Sequence, residues 1–174
     1  MKNSFSTPAG KVALCGLLAA LAMVVMALGT LIPVATYCAP LLAGLLILPV
    51  EQKCGRRYAF LWYCAVSLLS LLLAPDREAA LIFLLLGYYP LLRPLLQRLP
   101  GPLSFFCKLV YFNASAAVVF LLLSVLGLPT FLSDFPDASG RLLLLLGLAF
   151  LAGLNLVFFL YDSLLPRLSR IFSV

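Results

Sequence analysis

Few side chains in this chain can do chemistry, and they fall into small groups. Thr36 and Tyr37 stand between Pro33 and Pro40. Asp76, Arg77 and Glu78 form a short acid–base–acid run. Tyr88 and Tyr89 precede Pro90, and Asn113 and Asn155 are solitary amides in apolar surroundings. Hydroxyls, amides and one guanidinium spread this widely suit recognition of a small molecule by hydrogen bonds. The planar fork of Arg77 in particular matches a carboxylate on a ligand. Tyr37, Arg77, Glu78 and Tyr88 are therefore candidate substrate-binding residues, to which a resemblance given below adds Thr36 and Asp76.

Catalysis lacks its usual parts. The chain has no histidine, which removes the commonest general base and metal ligand. Cys15, Cys38, Cys54, Cys64 and Cys107 form no C-x2-C pair, so neither a metal site nor a disulfide framework is expected. No phosphate-binding glycine loop, dinucleotide fingerprint or G-x-S-x-G elbow occurs. We expect no cofactor and no enzyme; a membrane-embedded enzyme acting on lipid or peptide would need a catalytic set. Acids are almost missing from the apolar runs, so an ion pathway lined by carboxylates is not expected either.

The elements that must position these residues are membrane helices. Hydrophobic residues make up 64% of the chain and charged ones 10%, and the mean hydropathy is +1.16. Residues 12–50, 58–75, 79–92, 109–133 and 142–161 carry no charge at all. A helix crossing about 30 Å of hydrocarbon needs roughly 20 mostly apolar residues. The first run is too long for one helix and is punctuated by Pro33 and Pro40, since proline cannot continue the ladder and pushes its predecessor out of the α region. This predicts an all-α bundle of six transmembrane helices in one membrane domain. The spans are 12–33, 36–50, 57–74, 78–96, 104–126 and 141–163, with a kink at Pro90. A cleaved signal peptide has a shorter apolar core, so the first span is expected to stay.

Charge orients the bundle. Lys2, Lys11, Lys53, Arg56, Arg57, Arg93, Arg98, Lys108, Arg167 and Arg170 fall on one side of a six-span arrangement, and only Arg77 and Arg141 on the other. The positive-inside rule makes the first side, with both termini, cytoplasmic. Glu51 and Asp162 join it; Asp76, Glu78, Asp134 and Asp137 fall outside. The net charge of +6 thus reports topology and contact with anionic membrane lipid. Nucleic acid is not an expected partner.

Several features have two readings. Ala9, Ala13, Gly16, Ala20 and Ala27 put small residues on one face of the first span, which either packs inside the bundle or docks a second membrane protein. Asp76 can cap the fourth span, with Glu78 at the positive end of its dipole, or the run 74–78 can form a lid. The outer loop 127–140, with Asp134, Pro136, Asp137 and Gly140, is another lid or a plain connector. Asn113 and Asn155 lie at similar depth and are expected to hydrogen-bond between adjacent spans as structural glue. Trp62, Tyr63 and Tyr161 are expected in an interfacial aromatic belt.

The short basic N-terminus, Ala-rich first span, proline-broken turn into a short second span and six spans in this length resemble the substrate-binding S components of energy-coupling factor (ECF) vitamin transporters. The resemblance covers the layout of the whole chain. It implies a bacterial plasma-membrane subunit that captures a small, vitamin-like molecule from outside, beneath the loops holding Thr36, Tyr37, Asp76 to Glu78 and Asp134 to Asp137. It also implies docking on a transmembrane coupling subunit served by an ATPase pair. The family's Ala-x-x-x-Ala face would correspond to Ala9 and Ala13, or to Gly16 and Ala20, where glycine departs from the pattern. No residues match a particular vitamin-specific member. The alternative is a non-transporting scaffold, similar to the small multispan rod-shape protein of cell-wall complexes. That family's Pro-Asp-Leu-type segment is not found here, because Pro75-Asp76 is followed by Arg77.

Overall fold

The computed structural model describes residues 7–32, 35–74, 76–127 and 140–172. Its helices are α1 (Pro8–Gly29), α2 (Ala35–Leu45), α3 (Ile47–Cys54), α4 (Arg56–Leu73), α5 (Arg77–Leu86), α6 (Tyr89–Leu96), α7 (Gly101–Val125) and α8 (Gly140–Phe172). Among the described residues there is no strand. Paired end to end, α2 with α3 and α5 with α6, they make six elements long and apolar enough to cross a membrane. The protein is an all-α, multi-pass helical bundle. The turn at Pro33 and Val34, the residue Pro75, and Asp134, Pro136 and Asp137 lie outside the described residues.

Proline sets both mid-span breaks. A proline ring clashes with the carbonyl four residues earlier and offers it no N–H. For Pro49 that carbonyl belongs to Leu45, the last residue of α2; for Pro90 it belongs to Leu86, the last residue of α5. The break at Pro49 was not among the expectations, which ran the second span unbroken. Pro8 sits at the tolerated first turn of α1, where Thr7 Oγ1 accepts from the Gly10 N–H at 3.2 Å. That start is earlier than expected because the cap precedes the first apolar residue. α8 also runs past the expected end, through Pro166 to Phe172.

A break inside an apolar bundle frees backbone carbonyls that lipid cannot satisfy. At the end of α5 two tyrosines do so instead. The Tyr63 hydroxyl donates to Leu84 O from α4, and the Tyr111 hydroxyl donates to Leu85 O at 2.6 Å from α7. Trp62 donates its indole N–H to Cys15 O on α1 at 3.0 Å. Trp62 and Tyr161 are buried, and Tyr63 is half-buried. The aromatic-belt expectation is therefore corrected: Trp62 and Tyr63 link helices through their N–H and O–H groups, while Tyr161 is buried in the core with its hydroxyl unpartnered among the described residues.

Close helix approach uses glycine. A Cβ on Gly44 would lie 3.2 Å from Gly87 Cα, so α2 and α5 cross almost backbone to backbone. Gly29 likewise leaves room for the Ala39 methyl, joining α1 to α2. These crossings put α2–α3 and α5–α6 at the centre, where 56% of each apolar window is buried, against 17% for α1. One core cluster, with Met26, Ile47, Trp62, Phe83 and Leu91, lies among α1 to α6. The other, with Leu41, Ile82, Tyr89, Phe112, Phe158 and Tyr161, lies among α2, α3, α5, α6, α7 and α8. Large apolar side chains such as Leu17, Leu72, Leu121 and Leu144 point outward from the peripheral helices. Exposed in water, each would forfeit about 1.5–3 kcal/mol; against lipid they cost nothing.

Candidate functional site

A cavity of about 430 Å³ lies among α2, α5, α7 and α8. Tyr37 and Leu41 line it from α2, and Glu78, Ile82 and Leu86 from α5. Residues from Phe112 to Leu123 form the α7 wall, and residues from Gly147 to Val157 the α8 wall. The space exists because Ala116, Ala117 and Gly147 are too small to fill it. From Glu78 to Leu86 it extends about 12 Å along the bundle at 1.5 Å per residue. Ala117, Phe120 and Leu151 line it and are exposed, so it opens between α7 and α8.

The lining is apolar apart from three groups. The Tyr37 hydroxyl and the Glu78 carboxylate belong to the end near the N-termini of α2 and α5. Asn113 belongs to the far end. Tyr37 also packs edge-on to Phe150 of α8, with ring centroids 5.0 Å apart. Ligand pockets commonly measure about 300–1,000 Å³ and combine an apolar lining with a few polar groups. The size and the wall chemistry both fit that class.

Of the six candidate substrate-binding residues, the structure brings Tyr37 and Glu78 to this cavity. The other four lie elsewhere. Thr36 is buried beside it without lining it. Asp76 caps α5, its Oδ1 accepting from the Glu78 N–H at 2.9 Å. Arg77 is exposed, so it does not line the cavity as a carboxylate clamp. Tyr88 turns toward α4, packing on Phe60 and Tyr63 with centroids at 6.0 and 5.3 Å. The break at Gly87 sends Tyr88 and Tyr89 to opposite sides.

Asn113 and Asn155 do meet. Each amide donates to the other across α7 and α8, at 3.0 and 3.2 Å, and each also donates to its own i−4 carbonyl. Both NH2 groups are thereby fully used. The pair closes the far end of the cavity and is worth about 0.6 kcal/mol, rarely above 2.

The small-residue face of α1 lies outside the bundle. Ala9, Ala13, Gly16 and Ala20 are all exposed, and a Cβ on Gly16 would meet nothing within 4 Å. Of the two readings of this face, internal packing is excluded. Trp62 of α4 meets α1 at Cys15 O, and Ala39 of α2 meets it at Gly29.

One cluster was not anticipated. Asp162 of α8 accepts from the Tyr89 hydroxyl at 2.6 Å and Arg93 Nε at 2.7 Å through Oδ1, and from Lys108 Nζ at 2.8 Å through Oδ2. Tyr89 and Arg93 come from α6 and Lys108 from α7, so one carboxylate ties three elements together. Pro166 makes Asp162 read as the end of the last span, whereas α8 continues for ten more residues to Phe172. The signal was a lone acid after a long uncharged run on the basic side of the chain. No protein-family model, curated protein or solved structure matches this chain.

Proposed function

We propose that this chain is the substrate-capture subunit of an ECF-type transporter in a bacterial plasma membrane, with both termini in the cytoplasm. It binds a small, largely apolar, vitamin-like molecule taken from outside. The observation that carries the reading is the cavity of about 430 Å³ among α2, α5, α7 and α8, which has a polar rim at Tyr37 and Glu78. Its apolar walls offer dispersion contacts that water cannot use. The rim belongs to the end of the bundle with few basic residues, which the charge rule puts outside. Transport then needs energy from elsewhere, and the exposed Ala9, Ala13, Gly16 and Ala20 face supplies a surface on which a coupling subunit with its ATPases can sit closely.

The test is purification of the tagged protein in mild detergent, with mass spectrometry of co-eluting proteins and small molecules. A bound metabolite, or an ATPase pair with a multispan coupling protein, supports capture. Ala116→Trp, which fills the cavity, is expected to abolish retention of the metabolite while the protein remains monodisperse. Cell-wall proteins with no metabolite would replace this reading with the scaffold.

A further inference from the structure

The Asp162 cluster borders a second recess, of about 520 Å³, lined by Gln97, Leu99, Gly101, Ser104, Phe105, Lys108, Phe159 and Asp162. We infer that this recess seats the phosphate of an anionic phospholipid, with Lys108 and Ser104 as its ligands.

Charge comes first. Arg93 and Lys108 face a single carboxylate, so the cluster retains one positive charge. Both Asp162 oxygens are already engaged by Tyr89, Arg93 and Lys108. Arg93 does not line the recess: its Nε bonds Asp162, and with the Gln97 amide oriented to accept, Nη2 and Nη1 reach its oxygen at 2.9 and 3.1 Å. Lys108 differs. Its ammonium carries three N–H donors, and one is used, on Asp162. An anion in the recess therefore meets the surplus charge on the group that has donors to spare.

Two further donors converge there. Ser104 is more than nine-tenths buried and lines the recess. Gly101 opens α7, a helix of 25 residues, so free N–H groups and the positive end of the helix dipole point the same way. A hydroxyl and an ammonium with two N–H groups to spare thus line one recess, where a phosphate oxygen can accept from both.

The surroundings select a lipid as the source of that phosphate. Gly101 to Lys108 covers about 10 Å of helix axis, the depth from interface into hydrocarbon. Leu99, Leu103 and Phe105 beside the mouth are exposed, and Phe105 stacks on Phe159 with centroids 5.0 Å apart. A soluble anion gains nothing from these rings, whereas acyl chains lie against them. Basic recesses between spans near the cytoplasmic face are suited to anionic head groups. This inference does not rest on the cavity or on transport.

The experiment measures thermal stabilisation of the full-length protein in detergent on adding phosphatidylglycerol, phosphatidylcholine or inorganic phosphate. Stabilisation by phosphatidylglycerol alone is expected. Lys108→Gln is expected to need about tenfold more phosphatidylglycerol, the weight of one charge-assisted hydrogen bond. Gly101→Asp covers the case in which Lys108→Gln does not fold. Its Cβ meets nothing within 4 Å and an acid suits a helix start, so the fold is kept while the mouth turns negative. The same tenfold loss is expected. Equal response to phosphatidylcholine, or an unchanged response in Gly101→Asp, overturns the site. A matching response to inorganic phosphate overturns the lipid as its source.

Discussion

At the scale of residues, polar groups inside this bundle are few and are used as ties. Asp162 holds a phenol, a guanidinium and an ammonium from two other helices. Removing one partner of such a buried pair costs about 3–5 kcal/mol, mostly because the remaining charge stays buried and unpaired. Asp162→Ala is expected to lose that much in detergent-based unfolding followed by Trp62 fluorescence. Adding Lys108→Met should restore part of the loss, since one stranded cation is then gone. If Asp162→Ala unfolds like the parent, the cluster is surface decoration. Tyr63 and Tyr111 act on the same principle with neutral groups, donating to Leu84 O and Leu85 O in the last turn of α5, beside the break at Pro90.

At the scale of elements, glycines with opposite surroundings separate folding from association. Gly44 faces Gly87 across the α2–α5 crossing, and a side chain there must push the helices apart. Overpacking of this kind costs about 1–3 kcal/mol or more, so Gly44→Leu is expected to lower stability markedly. Gly16 faces open space on α1. Gly16→Leu should leave unfolding unchanged, yet abolish co-purification of a partner by keeping its helix at a distance. An unchanged pull-down with Gly16→Leu would remove the docking face while leaving the cavity reading intact. The two measurements fail independently.

At the scale of the molecule, the helices carry the basic residues to one end. Cys54 Sγ reaches Lys11 O at 3.9 Å, and Gln52 donates to Ser169 O at 2.9 Å, so the start of α1 and the ends of α3 and α8 meet there. Arg93 and Lys108 join through Asp162. In a background without the native cysteines, a membrane-impermeant thiol reagent added to intact cells is expected to label Arg141→Cys and spare Arg56→Cys. The opposite pattern would place the cavity rim in the cytoplasm and end the proposal of capture from outside.

What the sequence by itself determined is the number of spans and the separation of charge between the two ends, because hydrocarbon thickness and unsatisfied charge impose those directly. It also contained the Asn113–Asn155 pair, since equal depth on neighbouring helices leaves two lone amides little else to bond. It put Tyr37 and Glu78 at one end of the bundle, where both line the cavity, because helix ends gather there. It did not determine which faces turn inward. In water an apolar stripe marks the core, but here lipid-facing and core-facing sides are both apolar, so Leu121 and Leu123 read alike although one is exposed and the other buried. Tertiary structure alone decided that the face of Gly16 is free, that Ala116 and Gly147 leave a cavity, and that Asp162 finds two cations. Each depends on helix rotation, which is set by Gly44 against Gly87 and by breaks at Pro49 and Pro90, not by the hydropathy of any one segment.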